Sequence, residues 1–280
     1  MKGKVATTED TEDSEVDKSE PQTTMEHIEP ASKVDRYENG GRAMAAIRTV
    51  LMLAFWAVSL PIAALLGFSW TYLTKDISFF YRTCLWGAWT GVRIVGVRVE
   101  VLGLDKIDPA RTYIFMSNHI SNLDPPIMIP LIPRRTSVMV KKELFKYPIL
   151  GETMRIGSLV PVDRGNRDAG IAAVREASKV IKNGVNMTIY VEGGRSFDGR
   201  LLPFKKGPFY LAEECQVPVV PITISGSERA MPKATFGILP ELVTVRFHEP
   251  IEPADFGSRE ELMAKVRAAI NSGLPEELRE

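Results

Sequence analysis

The chain has 280 residues, 45% hydrophobic and 25% charged, with 35 acidic and 35 basic side chains. That composition is globular, which excludes a collagen-like or wholly disordered chain, and the length allows one large domain with appendages. A core of this size needs no covalent staples, and the two cysteines, Cys84 and Cys215, supply neither a disulfide framework nor a CxxC metal site, so zinc ribbons, thioredoxin chemistry and small secreted scaffolds are excluded.

Zero net charge conceals an asymmetry. Residues 1–41 hold eleven acids and five bases, net −6, which leaves 24 acids and 30 bases, net +6, over 42–280. The basic excess suits an anionic substrate or an anionic lipid surface. The first 41 residues are rich in Glu, Asp, Thr and Ser, with almost no large apolar side chains, and predict a disordered acidic tail.

An uncharged stretch follows over residues 49–74, including LMLAFWAVSLPIAALLGFSW. It is long enough to span a hydrocarbon core, and the acidic segment before it is unlike a signal peptide. Pro61, near its middle, removes one backbone hydrogen bond and predicts a kink or break there. A more amphipathic stretch over 77–97 carries Trp86 and Trp89 as interfacial anchors. Two arrangements fit, a spanning helix or a hairpin of helices in one leaflet. Arg36, Arg42 and Arg48 argue for a cytoplasmic N-terminus, and a hairpin broken at Pro61 keeps the tail and the remaining chain on that same face. The expectation is therefore a monotopic anchor over 42–95 on the cytoplasmic side of a membrane, ahead of a domain over 96–280.

From residue 96 onward the pattern changes to short apolar strands alternating with helical segments. VRVEVLGL, TYIFMS, TSVMVK, MTIYVE, VPVVPITIS and VTVRF read as strands. Residues 168–182 have helical spacing and end at Asn183-Gly184, a C-terminal cap. The alternation predicts an α/β fold, a mostly parallel central sheet flanked by helices, preceded by the membrane-embedded helical hairpin.

Four segments carry candidate chemistry. Asn118-His119 through Asp124 follows the strand TYIFMS, and ligands bind where loops leave the C-terminal ends of strands in such sheets. A carboxylate on one imidazole nitrogen fixes the tautomer and leaves the other nitrogen as a base; a capping Asp beside an incidental His fits the bare pair as well. Glu192-Gly193-Gly194-Arg195-Ser196 follows MTIYV, with glycines that admit a ligand close to the backbone and an Arg suited to phosphate. Asp163-Arg164 and Leu202-Pro203-Phe204-Lys205-Lys206-Gly207 add cations. Together they place a base and several cations on loops at one sheet edge, an arrangement that suits activating a hydroxyl beside a phosphate. His119 and Asp124 offer only two metal ligands, so no metal is expected.

At these residues the sequence resembles the glycerolipid acyltransferases, whose best-known members are the 1-acylglycerol-3-phosphate O-acyltransferases. The resemblance covers roughly residues 95–230 in four ordered blocks: the NHxxxxD block at Asn118 to Asp124; a lysine-containing block at Val140-Lys141-Lys142-Glu143-Leu144; a GxxFIDR-like block from Gly157 to Arg164; and an FPEGTRS-like block at Tyr190-Val191-Glu192-Gly193-Gly194-Arg195-Ser196. LPFKxG and VPIxPI elements follow. Two departures stand out: Gly194 replaces the usual Thr, and Pro161-Val162 replaces an aromatic-Ile pair. The resemblance implies that His119 is a general base toward the acceptor's sn-2 hydroxyl and that Asp124 orients it. It further implies that Asn118, Lys141, Arg164, Glu192, Gly193, Gly194, Arg195, Ser196 and Lys205 contact substrate. It implies acyl-CoA or acyl carrier protein as co-substrate without a cofactor, and membrane lipids rather than nucleic acid as partners. The same chemistry on glycerol 3-phosphate, a lyso-ornithine lipid or another lysophospholipid, and a non-catalytic lipid-binding protein, are the alternatives.

Overall fold

The computed structural model describes residues 41–163, 167–231 and 237–280. The expected tail, Gly41 apart, and the candidate Arg164 lie outside the described residues. Helix α1 runs over Gly41–Thr74, 34 residues, with Pro61 inside it. The expected break at Pro61 does not occur. Proline removes one i→i−4 bond, but the ladder continues on both sides and α2 (Ser78–Ile94) grips both halves. Before the proline, Trp56 Nε1 donates to the Gly87 carbonyl at 3.1 Å; beyond it, Gly67 lies so close to Phe80 that a Cβ would stand 2.1 Å from the ring. The hairpin turns instead at Lys75, Asp76 and Ile77. There Lys75 adopts φ 60°, and the Asp76 carboxylate accepts the Ser78 N–H at 2.8 Å. The pairs Phe55–Trp86 and Phe68–Phe80 mark the antiparallel order of the two helices.

The face of α1 turned away from α2 is bare, with Val58 64%, Leu65 69% and Leu73 84% exposed. Residues Ala43–Thr74 are long and apolar enough to cross a membrane. Both ends of α1 nonetheless touch the rest of the fold. Thr49 Oγ1 accepts the Ile238 N–H at 3.0 Å, and the Tyr72 hydroxyl donates to Glu152.

Downstream come β1 (Arg98–Leu102), β2 (Ile114–Ser117), α3 (Asp124–Met128), β3 (Thr136–Lys141), α4 (Pro148–Ile156), β4 (Val160–Val162), α5 (Arg167–Lys182) and β5 (Asn186–Tyr190). They are followed by α6 (Gly207–Cys215), β6 (Val219–Ser225), α7 (Ser227–Ala230), β7 (Leu242–Phe247) and α8 (Arg259–Ser272). The strands form one seven-stranded sheet in the order β1-β7-β6-β2-β5-β3-β4. All neighbours are parallel except β6 and β7, so the mostly parallel sheet flanked by helices is as the strand pattern implied.

Central strands read as continuous apolar runs because helices cover both faces. Ile114 and Met116 of β2 join Met187, Ile189, Ala177, Phe209 and Val266 in one core. Phe115, between them in sequence, faces the other core with Ile222, Ile127, Val92 and Met52. Thus α5, α6 and α8 cover one face, and α3 with the α1–α2 hairpin covers the other. Pro161 sits on β4, which pairs only with β3; an edge strand tolerates the missing donor.

Candidate active site

The chain leaves β2 through loop 118–123 and enters α3 at Asp124. Asn118 is fully buried. Its Nδ2 donates to the Ile224 carbonyl and its Oδ1 accepts the Ile224 N–H, both at 2.8 Å. The amide therefore extends the β2–β6 ladder by one rung and aims the loop out of the sheet. Expected at the substrate, the Asn118 side chain instead satisfies buried main chain, where an unpaired peptide would cost about 1–3 kcal/mol.

Asp124, also fully buried, gathers four donors. Its Oδ2 accepts from His119 Nδ1 at 2.7 Å and from the Ile120 and Ser121 N–H groups at 2.8 and 2.9 Å. Its Oδ1 accepts from the Ser227 hydroxyl at 2.5 Å. The carboxylate folds back over the loop that it ends, which is why a five-residue spacing brings it to the imidazole. With Nδ1 engaged, the lone pair of His119 lies on Nε2. The His119 side chain is 13% exposed.

The segment after β5 interlocks with this loop. Glu192 Oε1 accepts the His119 N–H at 3.1 Å and Oε2 accepts the Leu202 N–H at 3.2 Å, while the His119 carbonyl accepts the Ser196 N–H at 2.8 Å. The main chain of His119 is thus held on both sides. Burial pushes the Glu192 carboxyl up to about 7, against its two backbone donors and Arg267 of α8. Glu192 therefore joins two loops rather than presenting a charge outward. The Ser196 hydroxyl donates to Asp198 at 2.9 Å.

Tyr190 stacks on the His119 imidazole, with centroids 4.1 Å apart and planes 24° from parallel. Its hydroxyl is buried and has no hydrogen-bond partner among the described residues; burial, with Asp124 nearby, holds its pKa well above 10.0. Tyr190 heads the FPEGTRS-like block without an assigned role, and Ser227 lies outside the candidate segments. Tyr190 carried no polar spacing signal, and Ser227 lies 103 residues from its partner Asp124.

Gly193 has φ 69°, and a Cβ there would stand 3.1 Å from Lys205 Cγ, whose stem crosses it. At Gly194 the same space is open. Arg195 is half-buried on this loop. Register places Lys141: Val138 pairs with Thr188, and Ser117 with Tyr190, so Lys141 and Asn118 are both level with Val191. Two strand spacings, about 10 Å, separate them across one C-terminal edge. Lys141 is exposed, 3.7 Å from Glu143. Hydrogen bonds thus join His119, Asp124, Glu192 and Ser196, while the cations Lys141 and Lys205 stand exposed on that same edge. Among the described residues, no three His, Cys, Asp or Glu side chains gather to hold a metal.

Beside the site is an apolar cavity of about 280 Å³ whose lining includes Tyr81, Cys84 and Ala88 of α2, Pro125 and Pro126 next to Asp124, and Val138 of β3. Pro161 and Val162 are not part of its lining; Val162 packs into the core on the α5 face.

Residues 98–225 match the acyltransferase family. The chain is 33% identical over 201 residues to a 1-acyl-sn-glycerol-3-phosphate acyltransferase of Limnanthes alba, covering 71% of this chain and 70% of that protein. To 1-acyl-sn-glycerol-3-phosphate acyltransferase alpha of Homo sapiens it is 35% identical over 133 residues, 47% of each. The crystal structure of the 1-acyl-sn-glycerophosphate (LPA) acyltransferase PlsC from Thermotoga maritima superposes with a TM-score of 0.69 at 28% identity, covering 82% of this chain and 95% of that one. With a long relative matched over more than two thirds of its length and the same fold in a solved structure, this chain belongs to the acyltransferase family and is an acyltransferase.

Proposed function

We propose that this enzyme transfers an acyl chain from acyl-CoA or acyl carrier protein to the sn-2 hydroxyl of 1-acylglycerol 3-phosphate, giving phosphatidate. The observation that carries the reading is His119 Nδ1 bound at 2.7 Å to a buried carboxylate, beside an apolar cavity and cations on one sheet edge. Its Nε2 takes the hydroxyl proton as the acceptor oxygen attacks the thioester carbonyl. The tetrahedral intermediate collapses, the C–S bond breaks, and the imidazolium returns the proton to the departing thiolate. Base catalysis of this kind contributes about 10²–10⁴-fold, and holding two substrates together supplies much of the rest. No covalent acyl-enzyme and no cofactor enter this reading.

Lys141, Arg164, Arg195 and Lys205 are the cations assigned to the acceptor phosphate, with the Gly193-Gly194 backbone admitting it closely. The apolar cavity suits an acyl chain, at about 0.8 kcal/mol per buried methylene. The test is thiol release from oleoyl- or palmitoyl-CoA by solubilised enzyme with lysophosphatidate as acceptor, with His119→Ala as control. Acceptor-dependent release abolished by the substitution supports the reading. Release only with glycerol 3-phosphate or another lysolipid keeps the chemistry and changes the acceptor, while no release with any acceptor or donor moves the protein to lipid binding.

The long apolar helix supports association with membranes. We further propose monotopic attachment on the cytoplasmic face, with 1–41 as tail, 42–95 as anchor and 96–280 as catalytic domain. Contacts at both ends of α1, Thr49 with Ile238 and Tyr72 with Glu152, support a helix lying along the domain. Protease digestion of the tail and the domain from opposite sides of sealed vesicles would rule this out.

A further inference from the structure

Between β3 and α4 the chain makes a 3-10 turn over Lys142–Lys146, and residues 146–150, which run through Tyr147 into the first turn of α4, are exposed throughout. Tyr147 is 60%, Ile149 45% and Leu150 42% exposed. Three large apolar side chains within four residues are held outward by a built turn. The Gly151 N–H donates to the Tyr147 carbonyl at 2.6 Å, and Arg155 Nη2 donates to the Phe145 carbonyl at 3.1 Å. At Gly151 a Cβ would stand 2.3 Å from that same carbonyl oxygen, so the turn admits no side chain there.

This knob is continuous with the bare face of α1. Glu152, on the first turns of α4, accepts from the Tyr72 hydroxyl and pairs with Arg155 at 3.1 Å. Tyr72 stands among Trp70, 48% exposed, and Leu73, 84% exposed. Cations flank the tip: Lys146 is exposed, and Lys141 and Lys142, also exposed, pair with Glu143 and Asp163. The turn also leaves the sheet at its C-terminal edge, the edge that carries His119. Contiguous apolar surface rimmed by cations marks a partner site, and tyrosine and lysine beside aliphatic side chains suit the interfacial zone of an anionic bilayer.

We propose that the tip at 146–150 is a second, shallow membrane contact, dipping Tyr147, Ile149 and Leu150 below the headgroups of an anionic leaflet while Lys146 meets lipid phosphates. It rests on the membrane attachment through α1 and adds a function to it. Two contacts fix the tilt of the catalytic domain, which sets the His119 edge at headgroup depth. A lipid acceptor then reaches the base without leaving the bilayer.

The test uses the full chain with Cys84→Ala and Cys215→Ala, and single cysteines in turn at Leu150, Leu65 of α1 and Lys179 of α5, each carrying an environment-sensitive fluorophore. Phosphatidylglycerol-containing vesicles are expected to blue-shift emission at 150 and 65 and to leave 179 unchanged. A shift at 65 without one at 150 overturns the proposal and leaves attachment through α1 standing. No shift at either position overturns both. A shift at 150 with acyl carrier protein but not with vesicles makes the knob a protein-docking surface and overturns the lipid assignment. In parallel, Ile149→Ser with Leu150→Ser is expected to lose activity several-fold on vesicle-borne acceptor and to retain it on the same acceptor in detergent micelles. An equal loss in both, or in neither, overturns the proposal.

Discussion

Tyr190 lies flat against the His119 imidazole at 4.1 Å, and so covers one ring face of the residue that Asp124 holds by its edge. In the proposed reaction, an aromatic face against the imidazole stabilises the cation formed when His119 takes a proton and fixes the plane in which Nε2 points. Tyr190→Phe keeps the ring and removes a buried hydroxyl without a partner among the described residues. That change is expected to preserve kcat and to raise stability by about 1 kcal/mol, measured by thermal unfolding. Tyr190→Leu is expected to lower kcat roughly fivefold with little change in acceptor KM, as loss of about 1 kcal/mol of imidazolium stabilisation requires. Equal kcat in both variants would remove the ring from catalysis.

The Asp124–Ser227 bond sharpens the expectation for the carboxylate. In Asp124→Asn the amide oxygen can keep the His119, Ile120 and Ser121 donors, while the amide nitrogen donates to the Ser227 hydroxyl, which can also accept. The fold and the tautomer then survive and only the charge is lost. Activity should fall about 10²-fold or more with circular dichroism and melting temperature near wild type. Ser227→Ala together with Asp124→Asn leaves that amide nitrogen unsatisfied and should unfold earlier than either single variant.

The adjacent glycines differ. Gly193→Ala places a Cβ at φ 69° against the Lys205 stem and should cost about 1–2 kcal/mol along with acceptor affinity. Gly194 faces open space, so Gly194→Thr should leave the melting temperature unchanged. One added hydrogen bond to the phosphate, about 1 kcal/mol, should lower the acceptor KM several-fold. An unchanged KM in Gly194→Thr would mean that the phosphate does not reach this loop.

If the cavity beside Asp124 holds the acyl chain, filling it shortens the chain accepted. Ala88→Phe and Val138→Phe, both on its lining, should shift donor preference from palmitoyl toward shorter thioesters. The readout is kcat/KM across a chain-length series. A uniform loss at every length would place the acyl chain elsewhere.

Two buried groups give stability opposite pH dependences. Burial, with Arg246 and Lys106, lowers His248 from 6.5 to about 4, and its Nε2 lies 2.8 Å from Thr223 Oγ1. The unfolded chain binds the proton more readily, so this group's contribution is lost as pH falls from about 6.5 to 4. Burial raises Glu192 from 4.5 to about 7, so here the folded chain binds the proton more readily and stability is lost as pH rises through 4.5 to 7. The two oppose one another over about pH 4.5–6.5. Denaturant unfolding of His248→Gln should fall less toward acid than wild type, and that of Glu192→Gln should fall less from pH 5 to 7.5. Parallel profiles for all three would refute both assignments.

Much of this enzyme is written in local pattern. Strands β1, β2, β3, β5, β6 and β7 and helix α5 follow from apolar runs, helical spacing and the Asn183-Gly184 cap, because each depends on residues a few positions apart. The long apolar helix α1 follows from hydrophobic length, and the five-residue spacing of His119 and Asp124 is itself local. The α/β class, the two apolar helical segments and the loops that carry His119 and the candidate cations are therefore legible from local pattern, and the remaining features are not. The placement of the hairpin turn at Asp76 instead of Pro61 depends on α2 gripping α1 on both sides of the proline. Asn118 serves Ile224 and Ser227 serves Asp124 because β6 lies beside β2, 106 and 103 residues away. Strand order is set by pairing and core packing over the whole sheet, so no spacing within a single segment encodes which distant side chain will satisfy a buried carboxylate or cover an imidazole face.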